Sequence, residues 1–254
     1  MNTITPIKQL TVGLVMMFAC NLATYAATQQ GVTSAMNESS NLSETLSARQ
    51  QAIPLMAAFM ATSNMEKLDV ALNQGLDAGL TVNEAKEVLV QLYAYTGFPR
   101  SLNALSALMK VTEARKQRGI KDEIGKEPVQ PVPVGDALRQ LGTDNQTKIS
   151  GAPVQGPLFD FAPVINQFLQ SHLFGDIFAR DNLDWQSREL ATVGALAATP
   201  GVEAQLLSHT RASLRVGITR GQLQQLAELL RTNGEAQAAD RAEAALQATL
   251  EPAS

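Results

Sequence analysis

The sequence predicts an all-α protein, a helical bundle built from two related halves. Three observations carry this. Ala, Leu, Gln and Glu abound while aromatic residues make up only 5% of the 254 residues, a composition that favours helix over sheet. Period-2 alternation is nearly absent, so no strand is expected. The joint "DAGLTVNE" (Asp77 to Glu84) returns 138 residues later as "RVGITRGQ" (Arg215 to Gln222). Each reads as a helix stopped by a glycine, an apolar residue, a Thr N-cap, and Glu or Gln at the third helical position. Gly79 and Gly217 can take the left-handed conformation that ends a helix. Thr81 with Glu84, and Thr219 with Gln222, have the capping-box pattern that starts the next one. The matched spacing points to an internal repeat.

The elements follow in order. Residues 1–26 read as a secretory signal: Lys8 supplies the positive charge, and "LTVGLVMMFAC" (Leu10 to Cys20) is an apolar core too short to span a bilayer. "TYA" (Thr24 to Ala26) places cleavage before Ala27, and an uncleaved anchor is the alternative. Phe18 makes "MFAC" a poor lipoprotein site. A Gln/Ser/Thr/Asn-rich stretch, 27–44, is expected to be disordered. The first helical region runs over 45–118. The Pro- and Gly-dense segment 119–160 reads as an ordered but irregular connection. The second helical region occupies 161–254.

Composition bounds the function. With 45% hydrophobic residues the chain has enough apolar mass for a real core, and a net charge of −4 gives no basic footprint for nucleic acid. No segment beyond the leader is long and apolar enough to cross a membrane. Cleavage would leave nineteen basic and twenty-four acidic residues and would remove Cys20, the only cysteine. The mature protein would then hold no disulfide and no thiol nucleophile. It would be periplasmic or secreted, with no membrane partner once the signal is gone.

The chemistry-bearing residues concentrate in the second half. "NLDWQSRELATVGALAATPG" reads as a helix from Trp185 to Ala198 behind an Asp184 N-cap, with Pro200 and Gly201 turning the chain into a helix that starts near Val202. Glu189 lies ten residues before the turn and His209 eight after it. At ~1.5 Å per residue both sit roughly 12–16 Å from the turn, level with each other on antiparallel neighbours. Both fall on apolar stripes: Glu189 with Val193 and Leu196, His209 with Leu206, Ser213 and Val216. A carboxylate beside an imidazole can fix its tautomer and tune it as a general acid–base unit. A buried pair that only holds two helices together is the alternative.

Two further stretches stand out. In "YAYTGFPRSLNAL" (Tyr93 to Leu105), Gly97 and Pro99 interrupt a helix that carries Tyr93, Tyr95 and Arg100, which could expose an oxygen-binding corner. A plain kink is the other reading. In "FLQSHLFGDIFARDNLD", Ile165, Phe168 and His172 share a helical face, which turns His172 inward, close in sequence to Asp176 and Arg180. Two histidines 37 residues apart do not make a zinc site, and there is no phosphate-binding glycine loop and no GxSxG elbow. No metal or cofactor is expected.

The segments "LNQGLDAGLTVNEAKEVLVQLYAYTGFPRSLNAL" and "LFGDIFARDNLDWQSRELATVGALAATPGVEAQLLSHTRASLRVGIT" resemble the carboxymuconolactone decarboxylase family, which includes the alkylhydroperoxidase D-like proteins. The likeness runs from about Thr45 to Ala245. It rests on the RE…H hairpin, the Gly-apolar-Thr joint and the YAYxGFP segment. The resemblance implies an all-helical bundle of two tandem repeats of this type, assembled into a trimer, hexamer or similar ring. The peroxidase branch uses a CxxC pair with a glutamate and a histidine as proton relay. Glu189 and His209 match the relay, but Val202 and Gln205 stand where the cysteines would be, so a thiol peroxidase is not expected. The decarboxylase branch needs no thiol: a small carboxylated lactone loses carbon dioxide and a carbon is protonated.

At the 138-residue offset, Gln51 and Ala71 face Glu189 and His209, while the second half lacks the YAYTGFP segment around Arg231 to Gln237. Each half keeps what the other lacks, which suggests one composite site. The expectation is an exported enzyme acting on a small carboxylate or lactone. His209 would carry the proton, Glu189 would orient it, and Tyr95, Arg100, Arg188 and His172 would bind substrate. A non-catalytic helical ring that binds a small acid is the alternative, and an antioxidant role implied only by family is the third. Chain length and export both depart from an ordinary single-repeat decarboxylase.

Overall fold

In a computed structural model, residues 44–250 are described; the signal segment, its cleavage point, Cys20 and most of the 27–44 stretch lie outside them. The chain is helical, with no strand among the described residues. Its elements are α1 (Ala48–Ala61), α2 (Met65–Asp77), α3 (Val82–Gln91), the single turn α4 (Tyr93–Thr96), α5 (Phe98–Gln117), α6 (Asp136–Ser150), α7 (Pro157–Phe161) and α8 (Pro163–Phe168). A π-helix (Leu169–Ile177) continues from α8, followed by α9 (Trp185–Ala198), α10 (Glu203–Arg215), α11 (Arg220–Thr232) and α12 (Ala236–Ala248). No described helix is long and apolar enough to cross a membrane.

Both joints fold alike. Gly79 and Gly217 have φ of 87° and 99°, and each Thr accepts from the backbone N–H three residues on, at 3.2 Å for both Glu84 and Gln222. The Glu84 and Gln222 side chains return the favour to the Thr81 and Thr219 amides at 2.9 and 3.0 Å. Two donors at each helix start are thereby satisfied. The starts of α1 and α9 are 137 residues apart, and those of α2 and α10, α3 and α11, and α5 and α12 are each 138 apart.

At the centre, α1 packs on α9. Every residue from Ala52 to Ala61 is buried, as is every residue from Ser187 to Ala198. A helix buried on every side is a central helix of the bundle, and the polar residues of α9 (Ser187, Arg188, Glu189 and Thr192) are buried with it. The close approach is set by Gly194: a Cβ there would fall 2.6 Å from the Pro54 carbonyl oxygen and 2.7 Å from its Cα. Both are backbone atoms that cannot swing aside. We expect Gly194→Ala to cost about 1–3 kcal/mol by forcing the helices apart; chemical denaturation of the two proteins would measure it. The buried faces of α2, α3, α11 and α12 complete this main core.

A smaller core lies beside it, with Ile149 of α6, Phe174 and Ile177 of the π-helix, Phe178 and Ala212 of α10. Helix α6 corrects the expectation of irregular chain over 119–160. Its polar sequence "DALRQLGTDNQTKIS" hides the helix because only Gly142, Gln146 and Ile149 are buried. Gly142 lets α6 meet the π-helix: a Cβ there would overlap the Gln170 carbonyl oxygen. Residues 119–135 do run without regular structure. This strap crosses the start of α3, where the carbonyls of Glu123 and Ile124 accept from the Val82 and Asn83 amides, both at 2.9 Å. These are amides that the helix itself cannot satisfy.

Candidate functional site

The helix hairpin α9–α10 builds the site. Asp184 caps α9, its carboxylate accepting from the Ser187 amide at 2.7 Å. Gly201, at φ 86°, turns the chain back. The two helices then run side by side, and Glu189 meets His209 across the seam, Oε2 to Nδ1 at 2.8 Å. The Glu189 side chain is fully buried and that of His209 keeps 14% exposure. The imidazole thus joins a buried carboxylate to the surface. With Glu189 ionised, Nδ1 donates, and Nε2, which makes no protein hydrogen bond, is the ring atom left for a substrate.

Tyr95 completes the group. Its ring meets His209 edge-on, with centroids 5.3 Å apart. The Tyr95 hydroxyl and Glu189 Oε1 are both buried, and neither has a hydrogen-bond partner. Burial, followed by the Glu189 charge, pushes the Tyr95 phenol well above its ordinary value. It therefore keeps its proton and remains a donor. Thr192 lies beside it and works against this rise; its hydroxyl donates to the Arg188 carbonyl at 2.9 Å and can still accept. Orphaned buried polar groups cost about 1–3 kcal/mol each. A buried donor and a buried acceptor left open around one imidazole suit a polar ligand. We expect Tyr95→Phe to leave thermal stability unchanged or raised, since it removes only an unsatisfied hydroxyl. A clear loss in a melting experiment would show that the hydroxyl holds the fold.

The other sequence-selected residues are not at this point. Arg188 is completely buried and committed elsewhere. It donates to Gln91 Oε1 (3.0 Å), Glu87 Oε1 (2.9 Å) and the Arg180 carbonyl (3.0 Å), which fixes its Nη atoms on the Glu87 side, while its Nε is buried without a partner. Arg100 is exposed and turns back onto the Thr96 carbonyl at 3.0 Å. It borders a different hollow, formed with Thr199, Pro200 and Arg241. Its neighbour Thr199 lies ten residues along α9 from Glu189, on the order of 15 Å. His172 was expected to face inward and does not. The π-helix turns it outward, with 48% of its side chain exposed, paired with Asp176 at 2.6 Å. Ile165 and Phe168 are likewise exposed, so the three share a face as expected but it points to solvent rather than to the core. The Gly97 break is real: φ there is 85° between α4 and α5, which swings Tyr95 to the seam while α5 departs.

Sequence reading missed a second buried polar group, centred on Glu87. Its carboxylate accepts from Arg180 Nε (2.8 and 3.0 Å), Arg188 Nη2 (2.9 Å) and Asn182 Nδ2 (3.1 Å). Burial alone would raise the Glu87 carboxyl, but the bonds to Arg180, Arg188 and Asn182 together hold it below its ordinary value. The available signal was an acid set among apolar residues in "EVLVQL". Gln91 Nε2 closes the group on the Arg188 carbonyl at 2.9 Å, tying the end of α3 to α9 next to Glu189. No group of three or more His, Cys, Asp or Glu among the described residues could hold a metal.

Residues 163–251 match the model of the Carboxymuconolactone decarboxylase family. The match lies in the second half of the chain and supports membership of this family. The matched span contains the hairpin with both Glu189 and His209, while Tyr95, Glu87 and Gln91 come from the part of the chain before the family domain. No curated protein matches the chain. With one cysteine in the whole sequence, the matched span has no CxxC pair; Val202 stands at the start of the second hairpin helix and Gln205 on it.

Proposed function

We propose that this protein is an acid–base enzyme of the decarboxylase type acting on a small carboxylate or lactone. The observation that carries the reading is the half-satisfied group at the seam: Glu189 Oε2 on His209, with Glu189 Oε1 and the Tyr95 hydroxyl open beside it. A pair that served only to join helices would satisfy its buried atoms. In the proposed step the bond to the substrate carboxyl breaks and carbon dioxide leaves. The electron pair passes to the conjugated lactone, and His209 Nε2 delivers a proton to the carbon. Glu189 balances the imidazolium charge. The Tyr95 hydroxyl donates to a substrate oxygen, where charge builds. The exposed ring edge lets His209 regain its proton from water. No oxidant, thiol or cofactor enters this balance.

We also propose that the protein is exported and works as a homo-oligomer. Phe98, Leu102, Phe161 and Phe168 are each more than 60% exposed, apolar surface that a second copy would cover. Light scattering on the full chain should give a trimer or larger ring; a monomer at micromolar concentration would remove this part. The chemistry is tested by turnover of carboxylated lactones with Tyr95→Phe, which should bind more weakly and turn over more slowly than the parent. Unchanged kinetics would take Tyr95 out of the site.

A further inference from the structure

A second hollow lies apart from the hairpin and shares no residue with the Glu189–His209 group. It is a groove of about 640 Å3 between α3, α5 and the strap, within the usual range for small-molecule sites. Val82 and Leu108 form a buried floor, and Met109 and Ile124 form apolar walls that are 64% and 61% exposed. Lys86, Lys116 and Lys121 stand around this floor, with Glu113 and Asp122 as the acids.

The charges are not balanced. Asp122 is taken by Arg115, which holds it through Nε and Nη2 at 2.8–3.0 Å. Glu113 accepts from the neutral Gln117 amide at 3.1 Å and keeps its charge, which leaves three lysines against one carboxylate that no arginine holds. Lys86 donates to Asn83 at 3.1 Å, while Lys116 and Lys121 make no ion pair. Two unpartnered ammonium groups over an apolar floor match one kind of molecule, an apolar chain ending in an anion. A second protein copy fits less well, because lysine is depleted from protein interfaces.

The groove is also pre-formed. The strap wall is fixed by its two backbone bonds to the start of α3 and by Asn83, whose side-chain amide donates to the Gly125 and Lys126 carbonyls at 3.2 and 3.3 Å. Gly125 sits at φ 81°, and a Cβ there would fall 2.2 Å from the Thr81 hydroxyl. The strap can lie this close only because that residue is glycine.

From this geometry we infer that the groove binds an amphipathic carboxylate of medium chain length, with its tail on Val82, Leu108 and Met109 and its head at Lys116 and Lys121. Dodecanoate titrated into the full chain by calorimetry tests it. Saturable one-to-one binding is expected, weaker at high salt. Met109→Glu, at an exposed position that cannot unfold the core, should weaken it at least tenfold. The Lys116→Ala, Lys121→Ala double variant should weaken it several-fold, and Glu189→Gln should not change it. Three results would overturn the inference. One is no saturable binding, or binding that both groove variants leave intact. Another is binding lost in Glu189→Gln, which places the ligand at the hairpin. The third is a self-associating parent that Met109→Glu turns to monomer with no dodecanoate bound, which assigns the groove to a second copy.

Discussion

Glu87→Ala is expected to destabilise the fold by about 3–5 kcal/mol, the loss typical when one partner of a buried ion pair is removed. Arg188 has no exposure, and burial already presses its guanidinium below the ordinary value while the Glu87 charge opposes this. Without Glu87, that charge would stand in the interior with only Gln91 and one carbonyl for company. The same group sets a pH dependence. The folded Glu87 carboxyl lies below its ordinary value of 4.5, so its contribution is complete above that pH. It drains away as acid takes the pH down through the folded value. Denaturant unfolding at pH 7 and at steps below pH 4.5 should show stability falling with acid, and falling less in Glu87→Gln. Equal stability of Glu87→Ala and parent at pH 7 would mean the charges are solvated in a way the structure does not show.

The second large effect is on turnover. Glu189→Gln and His209→Gln should each lower the rate by about 10²–10⁴, the usual worth of a positioned acid–base group, with the fold retained. The conservative variants matter. His209→Ala would leave the Glu189 carboxylate buried without a partner, and its loss of stability would confuse the reading. Glutamine at either position keeps a polar contact but cannot carry the proton. Circular dichroism and melting establish the fold, and the rate then reports chemistry alone.

How much of this was legible follows from the interactions involved. The hairpin was readable because helix rise and turn position are local quantities: Glu189 and His209 could be set level from residue counts. Both capping boxes were readable for the same reason. The Glu87 group was not, since its bonds to Arg180, Asn182 and Arg188 span more than ninety residues; the apolar setting of "EVLVQL" hints at burial but names no partner. Arg188 adjoins Glu189 in sequence, yet a helix points successive side chains about 100° apart, and its bonds to Glu87 and Gln91 could come only from the fold. His172 misled because the apolar face it shares with Ile165 and Phe168 lies at the surface, and sequence alone does not say which apolar stripe is covered. Helix α6 escaped notice because it buries one narrow stripe against another element and carries little apolar residue of its own. Tyr95 was selected from sequence; its unpaired hydroxyl could come only from the fold.

The most direct test of the acid–base account is mass spectrometry of a panel of small carboxylated lactones after incubation with the full chain in deuterated water. The account predicts a product that has lost its carboxyl group and gained one solvent deuteron at carbon, formed at least a hundredfold more slowly by Glu189→Gln. Lactones that bind and are recovered unchanged, or equal rates for parent and Glu189→Gln, would contradict it.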